Sequence, residues 1–89
     1  MQQQTERFLM YLAVERGLSN AYQLSVRQSL ESLQAWLEVR SIQLRDVGLD
    51  DLLKFVKSRK DEGLSASSQR ILIVHLKIYF RHLAVKGVL

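Results

Sequence analysis

The 89 residues predict an all-α domain of four helices. Three observations carry this. Apolar residues recur at three- and four-residue spacing in every long segment. Glycines fall between those segments, and two of them open the same tripeptide, Gly17-Leu18-Ser19 and Gly63-Leu64-Ser65. The one apolar run that could pass for a strand, Ile71 to Val74, continues at helical spacing as far as Leu83. The tripeptide fits a helix stop followed by a helix start. Glycine takes the left-handed conformation that ends one helix. Serine caps the next, its hydroxyl accepting a free backbone N–H. The leucine between them can staple onto the first turn.

The predicted helices cover residues 2–16, 20–39, 49–62 and 66–86. In the first, Phe8, Tyr11 and Leu12 share a face. In the second, Val26, Leu30, Leu33 and Leu37 recur at helical spacing, flanked by Tyr22 and Trp36. Periodicity lapses between Arg40 and Gly48. The third helix shows a short stripe of Leu49, Leu52, Leu53 and Val56, with Gly48 as a weak cap. Its first turn holds Asp50 and Asp51 and its end holds Lys57, Arg59 and Lys60, which suits the helix dipole. In the fourth, Ile71-Leu72-Ile73-Val74 could belong to a buried strand. The apolar pattern continues through Leu76, Tyr79, Phe80 and Leu83, so length and the Ser65 cap decide for a helix. Ile71 and Ile78 lie between the apolar and basic faces and are expected to cover a neighbouring helix, with a small partner contact as the alternative; His75 and His82 flank the apolar face.

Composition narrows function. With no cysteine there is no disulfide, thiolate metal site or cysteine nucleophile. No apolar run approaches the ~18 residues that span a bilayer, and Met1 to Glu6 carries no signal-peptide core. The formal net charge is +4, from 13 basic and 9 acidic residues. Residues 1 to 62 balance. Residues 63 to 89 hold Arg70, Lys77, Arg81 and Lys86 and no acid, so the whole excess lies there. At about 100° per residue, Arg70, Lys77 and Arg81 line up opposite the apolar face of the fourth helix. A one-sign stripe on a helix suits a polyanion, most commonly nucleic acid.

Other groups could serve the same partner. Ser19 and Ser65 stand at helix starts, where free N–H groups favour phosphate. Ser67 and Ser68 add hydroxyls in the first turn of the fourth helix. Asn20, Gln23 and Arg27 lie on the polar face of the second, and such side chains read adenine or guanine edges or hold phosphate. Glu31 shares that face, so only its N-terminal half is expected to approach DNA. Lys54, Lys57, Arg59 and Lys60 are expected to form a solvated face balanced by nearby acids.

The ordered motifs resemble a known module. Phe8-x-x-Tyr11-Leu12-x-x-Glu15-Arg16-Gly17-Leu18-Ser19 is similar to the opening of the N-terminal core-binding domain of tyrosine recombinases, the phage integrases and Xer-type enzymes. Arg27, Leu30 and Trp36-Leu37 fit its next stretch. Asp46-Val47-x-x-Asp50-Asp51-Leu52, then Gly63-x-Ser65-x-x-Ser68 and the run from Leu72 to Leu83, fit the rest. The chain departs from the usual pattern at Tyr22, Val26, Ser29 and Gly48.

The resemblance implies a four-helix SAM-like bundle, with residues 1–89 as a single DNA-binding domain. It implies a grip on recombination-site duplex DNA through helices 2 and 4, contacts with other recombinase protomers in a synaptic complex, and a cytoplasmic location. The isolated domain is expected to be a monomer or weak dimer, with no cofactor, metal or membrane partner. The family's catalytic half, with its tyrosine nucleophile, arginines, lysine and histidines, is expected to be absent. No His-x-x-Arg occurs, and Tyr11, Tyr22 and Tyr79 fall in core patterns. The chain alone is therefore not expected to be an enzyme. Two other readings remain open from the residues: a helical protein–protein interaction module and a free-standing DNA-binding regulator.

Overall fold

The computed structural model describes residues 1–89. It holds four helices and no strand: α1 (Gln2–Val14), α2 (Asn20–Val39), α3 (Leu49–Asp61) and α4 (Ala66–Val85). The all-α prediction holds, and all four predicted starts match, those of α2, α3 and α4 following Ser19, Gly48 and Ser65. A short 3-10 turn at Leu44–Asp46, not signalled by periodicity, fills the stretch before α3. No helix is long and apolar enough to cross a membrane.

The two Gly-Leu-Ser corners are built alike. Gly17 and Gly63 have φ of +61° and +101°, values that favour glycine. Leu18 N–H then closes on the Leu12 carbonyl and Leu64 N–H on the Arg59 carbonyl, both at 3.1 Å. Ser19 Oγ accepts from Tyr22 N–H and Ser65 Oγ from Ser68 N–H, each at 3.2 Å. A fourth residue completes the motif. Gln23 Nε2 donates to the Leu18 carbonyl at 3.0 Å, and Gln69 Nε2 to the Leu64 carbonyl at 2.8 Å. The corner is thus Gly-Leu-Ser-x-x-x-Gln, used twice.

The likeness extends through the helices that follow. α2 and α4 have equal length and a constant offset of 46 residues (65 minus 19). At that offset, buried Val26, Leu30, Leu33 and Leu37 correspond to buried Leu72, Leu76, Tyr79 and Leu83. Contacts between the halves are reciprocal. Phe8 of α1 packs on His82 of α4 (centroids 5.0 Å apart), while Phe55 of α3 packs on Trp36 of α2 (5.7 Å). Trp36 and His82 are equivalent at the same offset. Ser29 and His75 are also equivalent, and they bond to each other, Oγ to Nδ1, at 2.8 Å. Equivalent residues that meet must lie on the axis relating the two halves. The domain is therefore two α-hairpins joined about an approximate two-fold axis, with Ser29–His75 at its centre.

Each hairpin has one apolar face, and neither can bury it alone. Together they enclose a core that includes Phe8, Leu12, Val26, Leu30, Leu33, Phe55, Leu76 and Tyr79. Two expectations are corrected here. The α3 stripe was expected to include Leu49 and Leu53, but these are 71% and 59% exposed, and Phe55 is the buried residue. The helix is turned by its ring, which finds the Trp36 indole edge-on; Leu52 and Val56 remain half-buried beside it. His75 was expected to flank the apolar face; it is 3% exposed, inside the core. Its pKa is lowered by burial, which favours the neutral imidazole. His82 is half-buried against Phe8 and Tyr11, and burial and then Lys86 lower its pKa too.

Candidate nucleic-acid interface

The fourth helix positions its cations by simple periodicity. Leu72, Leu76, Tyr79 and Leu83 fix one face in the core, which turns Arg70, Lys77 and Arg81 outward. All three are exposed, and none has a carboxylate within ion-pair distance. Lys86 is exposed and unpaired as well. The predicted stripe is thus present as a solvent-facing row of free positive charge.

At the start of α4, Ser65 is committed to capping, and its hydroxyl also reaches Ser68 Oγ at 3.1 Å. Ser67 is exposed, and no protein partner takes its hydroxyl. Ser19 is likewise a cap, with Asn20 exposed beside it.

The polar face expected on α2 looks elsewhere. Arg27 turns to α1, where its guanidinium clasps the Glu6 carboxylate with two bonds of 2.5 and 3.1 Å. The pair is mutual: the Arg27 hydrogen bond holds the Glu6 carboxyl below its usual range, and Glu6 raises the arginine. Glu31 and Glu38 line the same shallow groove, together with Glu6. Gln23 spends its amide on the Leu18 carbonyl. The expectation that Gln23 and Arg27 stand as free donors is therefore corrected: one completes a corner, and the other is neutralised in an acidic groove.

The flank of α2 that adjoins α4 is the opposite one, and periodicity did not single it out. Ser25, Ser29 and Ser32, with Gln28, line a groove of about 220 Å³ shared with Ser68, Ile71 and Arg59. The signal was present as serines at three- and four-residue spacing, but without charge it did not stand out. Arg59 is not simply solvated either; it is half-buried and bonds Glu62 at 2.6 Å. Lys54, Lys57 and Lys60 form no ion pair. Ile71 is half exposed along this groove, whereas Ile78 packs against the core.

Comparison with known proteins agrees with this architecture. The family model for the phage integrase N-terminal SAM-like domain matches residues 5–87. Over 78 residues the chain is 33% identical to tyrosine recombinase XerD of Pseudomonas putida, covering 88% of this chain and 26% of that protein. It is 29% identical to XerD of Pseudomonas aeruginosa over 94% of this chain and 28% of that one. It is 33% identical to tyrosine recombinase XerC of Herpetosiphon aurantiacus over 93% and 28%. No solved structure matches. The chain spans about a quarter of the length of these curated relatives. On the family match and the four-helix architecture together, the chain belongs to the phage integrase N-terminal SAM-like domain family, the integrase N-terminal domain of XerC- and XerD-like tyrosine recombinases.

Proposed function

We propose that residues 1–89 form one DNA-binding domain of a site-specific tyrosine recombinase, and that it grips recombination-site duplex through α4 and the adjoining flank of α2. The observation that carries this is the row of unpaired, exposed cations on α4. A rod of helical width with one-sign charge fits the DNA major groove and releases counterions from phosphates. Ser67 and the free N–H groups at the start of α4 add donors at one end of the row. Ser19 and Asn20 offer the same at the start of α2, and the serine groove adjoins the start of α4 through Ser68. Arg27 and Gln23 contribute by holding the fold.

On this reading, catalysis and its tyrosine nucleophile reside in a part of the recombinase other than these residues. Duplex DNA and fellow recombinase protomers are the partners, in the cytoplasm. The isolated chain is a monomer or weak dimer that binds DNA mainly through phosphates.

Binding of a labelled duplex, titrated across several salt concentrations, tests the proposal. About four to six phosphate contacts give a slope of roughly −4 to −5 in log K against log salt. Neutralising Arg70 and Lys77 to Gln lowers the slope by about two, while Arg27→Ala leaves it unchanged. Absence of binding at low salt, or a slope indifferent to the Arg70 and Lys77 changes, overturns the reading.

A further inference from the structure

The basic row on α4 has an apolar residue in its middle. At 100° and 1.5 Å per residue, Arg70, Val74, Lys77 and Arg81 fall within about 60° of one another along roughly 16 Å of helix. Val74 is 51% exposed and lies on the side of α4 opposite the face formed by Leu72, Leu76, Tyr79 and Leu83. Within the domain nothing calls for it. A branched side chain is a weaker helix former than the alanine, glutamine or lysine that an outward position ordinarily takes. Its place is better explained by what the row contacts.

Length separates the four side chains. Arginine and lysine are long and flexible; they reach sideways to the phosphates that form the walls of a groove. Valine is short and apolar, so it addresses the floor. In the major groove the floor is made of hydrogen-bonding edges with one apolar feature, the 5-methyl group of thymine. Charge complementarity fixes duplex DNA as the occupant, because the cations on either side of Val74 have no acid to satisfy them. We infer that Val74 is a specificity-determining residue that packs on a thymine methyl at the centre of the α4 footprint. This rests on the DNA-binding reading above and goes beyond it, since phosphate contacts alone carry no sequence information.

The test uses the 89-residue chain and duplexes of 30 base pairs with a randomised centre, selected by binding at low salt and sequenced. The selected duplex is then resynthesised with each thymine replaced singly by uracil, which deletes the methyl and keeps every hydrogen-bonding group. The expected result is one or two thymines at which uracil weakens binding about fourfold, the factor for burying a single methyl. With Val74→Ala the same substitutions have little effect, and the variant binds the thymine duplex as weakly as the wild type binds the uracil one. Arg70→Gln serves as the contrast: it weakens thymine and uracil duplexes alike. DNA binding with no thymine preference overturns the assignment of Val74 and leaves the DNA reading standing. Uracil sensitivity that is equal in wild type and Val74→Ala overturns it too, since another group then reads the methyl. No binding to any duplex overturns the DNA reading, and this inference with it.

Discussion

Removing the Ser29 hydroxyl tests the bond on the two-fold axis. His75 is 3% exposed, and its Nδ1 meets Ser29 Oγ at 2.8 Å. Ser29→Ala leaves that nitrogen in the core without the partner, which costs about 1–3 kcal/mol. For a domain of this size each kcal/mol is worth about 4–8 °C, so the melting temperature falls by roughly 5–20 °C. Replacing both partners, Ser29→Ala with His75→Leu, removes the unsatisfied group and recovers most of the loss. Urea unfolding followed by the fluorescence of Trp36, the single tryptophan, gives the free energies, with circular dichroism as a second probe.

The pH dependence has a defined sign. Burial lowers the His75 pKa from 6.5, so the unfolded chain binds a proton that the native state resists. Stability is then complete above about 6.5 and declines as pH falls toward the native value. His82 acts in the same direction. Between pH 7.5 and 5.5 the wild type loses stability; the double variant loses less, retaining only the His82 share. A Ser29→Ala variant as stable as wild type, or a double variant with the wild-type pH dependence, refutes the reasoning.

Three further outcomes follow from the packing. Phe55→Ala costs about 3–5 kcal/mol in denaturant unfolding, whereas exposed Leu53→Ala changes stability by less than about 0.5 kcal/mol; similar losses would show that α3 is turned the other way. Thr5 and Tyr79 hold neighbouring buried hydroxyls with no partner beyond each other. Thr5→Val with Tyr79→Phe is accordingly neutral or slightly stabilising by thermal melt, within about 1 kcal/mol. Gly63→Ala destabilises by about 1–2 kcal/mol, and by more than Gly17→Ala, because φ of +101° lies outside the left-handed helical region that +61° occupies; calorimetry of the two variants gives the order.

Local chemistry made the helices legible. Gly-Leu-Ser with glutamine four residues on carries its own hydrogen bonds, so the corners can be read from adjacent residues. The α4 stripe was legible for the same reason: one helix fixes both its apolar face and its basic one. What escaped depends on residues far apart in the chain. The rotation of α3 is set by the Trp36 ring, which the leucine spacing does not reveal. Arg27 lost its role as a free donor to Glu6, 21 residues earlier. His75 entered the core because Ser29, 46 residues away, supplies its polar partner. The serine flank of α2 gained meaning only when α4 was laid beside it.

The approximate two-fold symmetry has a consequence for how function is distributed. At the 46-residue offset four core positions of α2 and α4 carry apolar side chains alike, while the outward positions differ in charge. Leu24, Gln28, Glu31 and Ala35 stand where α4 carries Arg70, Val74, Lys77 and Arg81. The first set has a charge of −1 and the second +3. The correspondence therefore holds at core positions, where packing demands apolar side chains, and lapses at outward ones, where solvent makes no such demand. Two hairpins of like construction thus present an electrically polar surface, slightly negative along the outward row of α2 and strongly positive along that of α4.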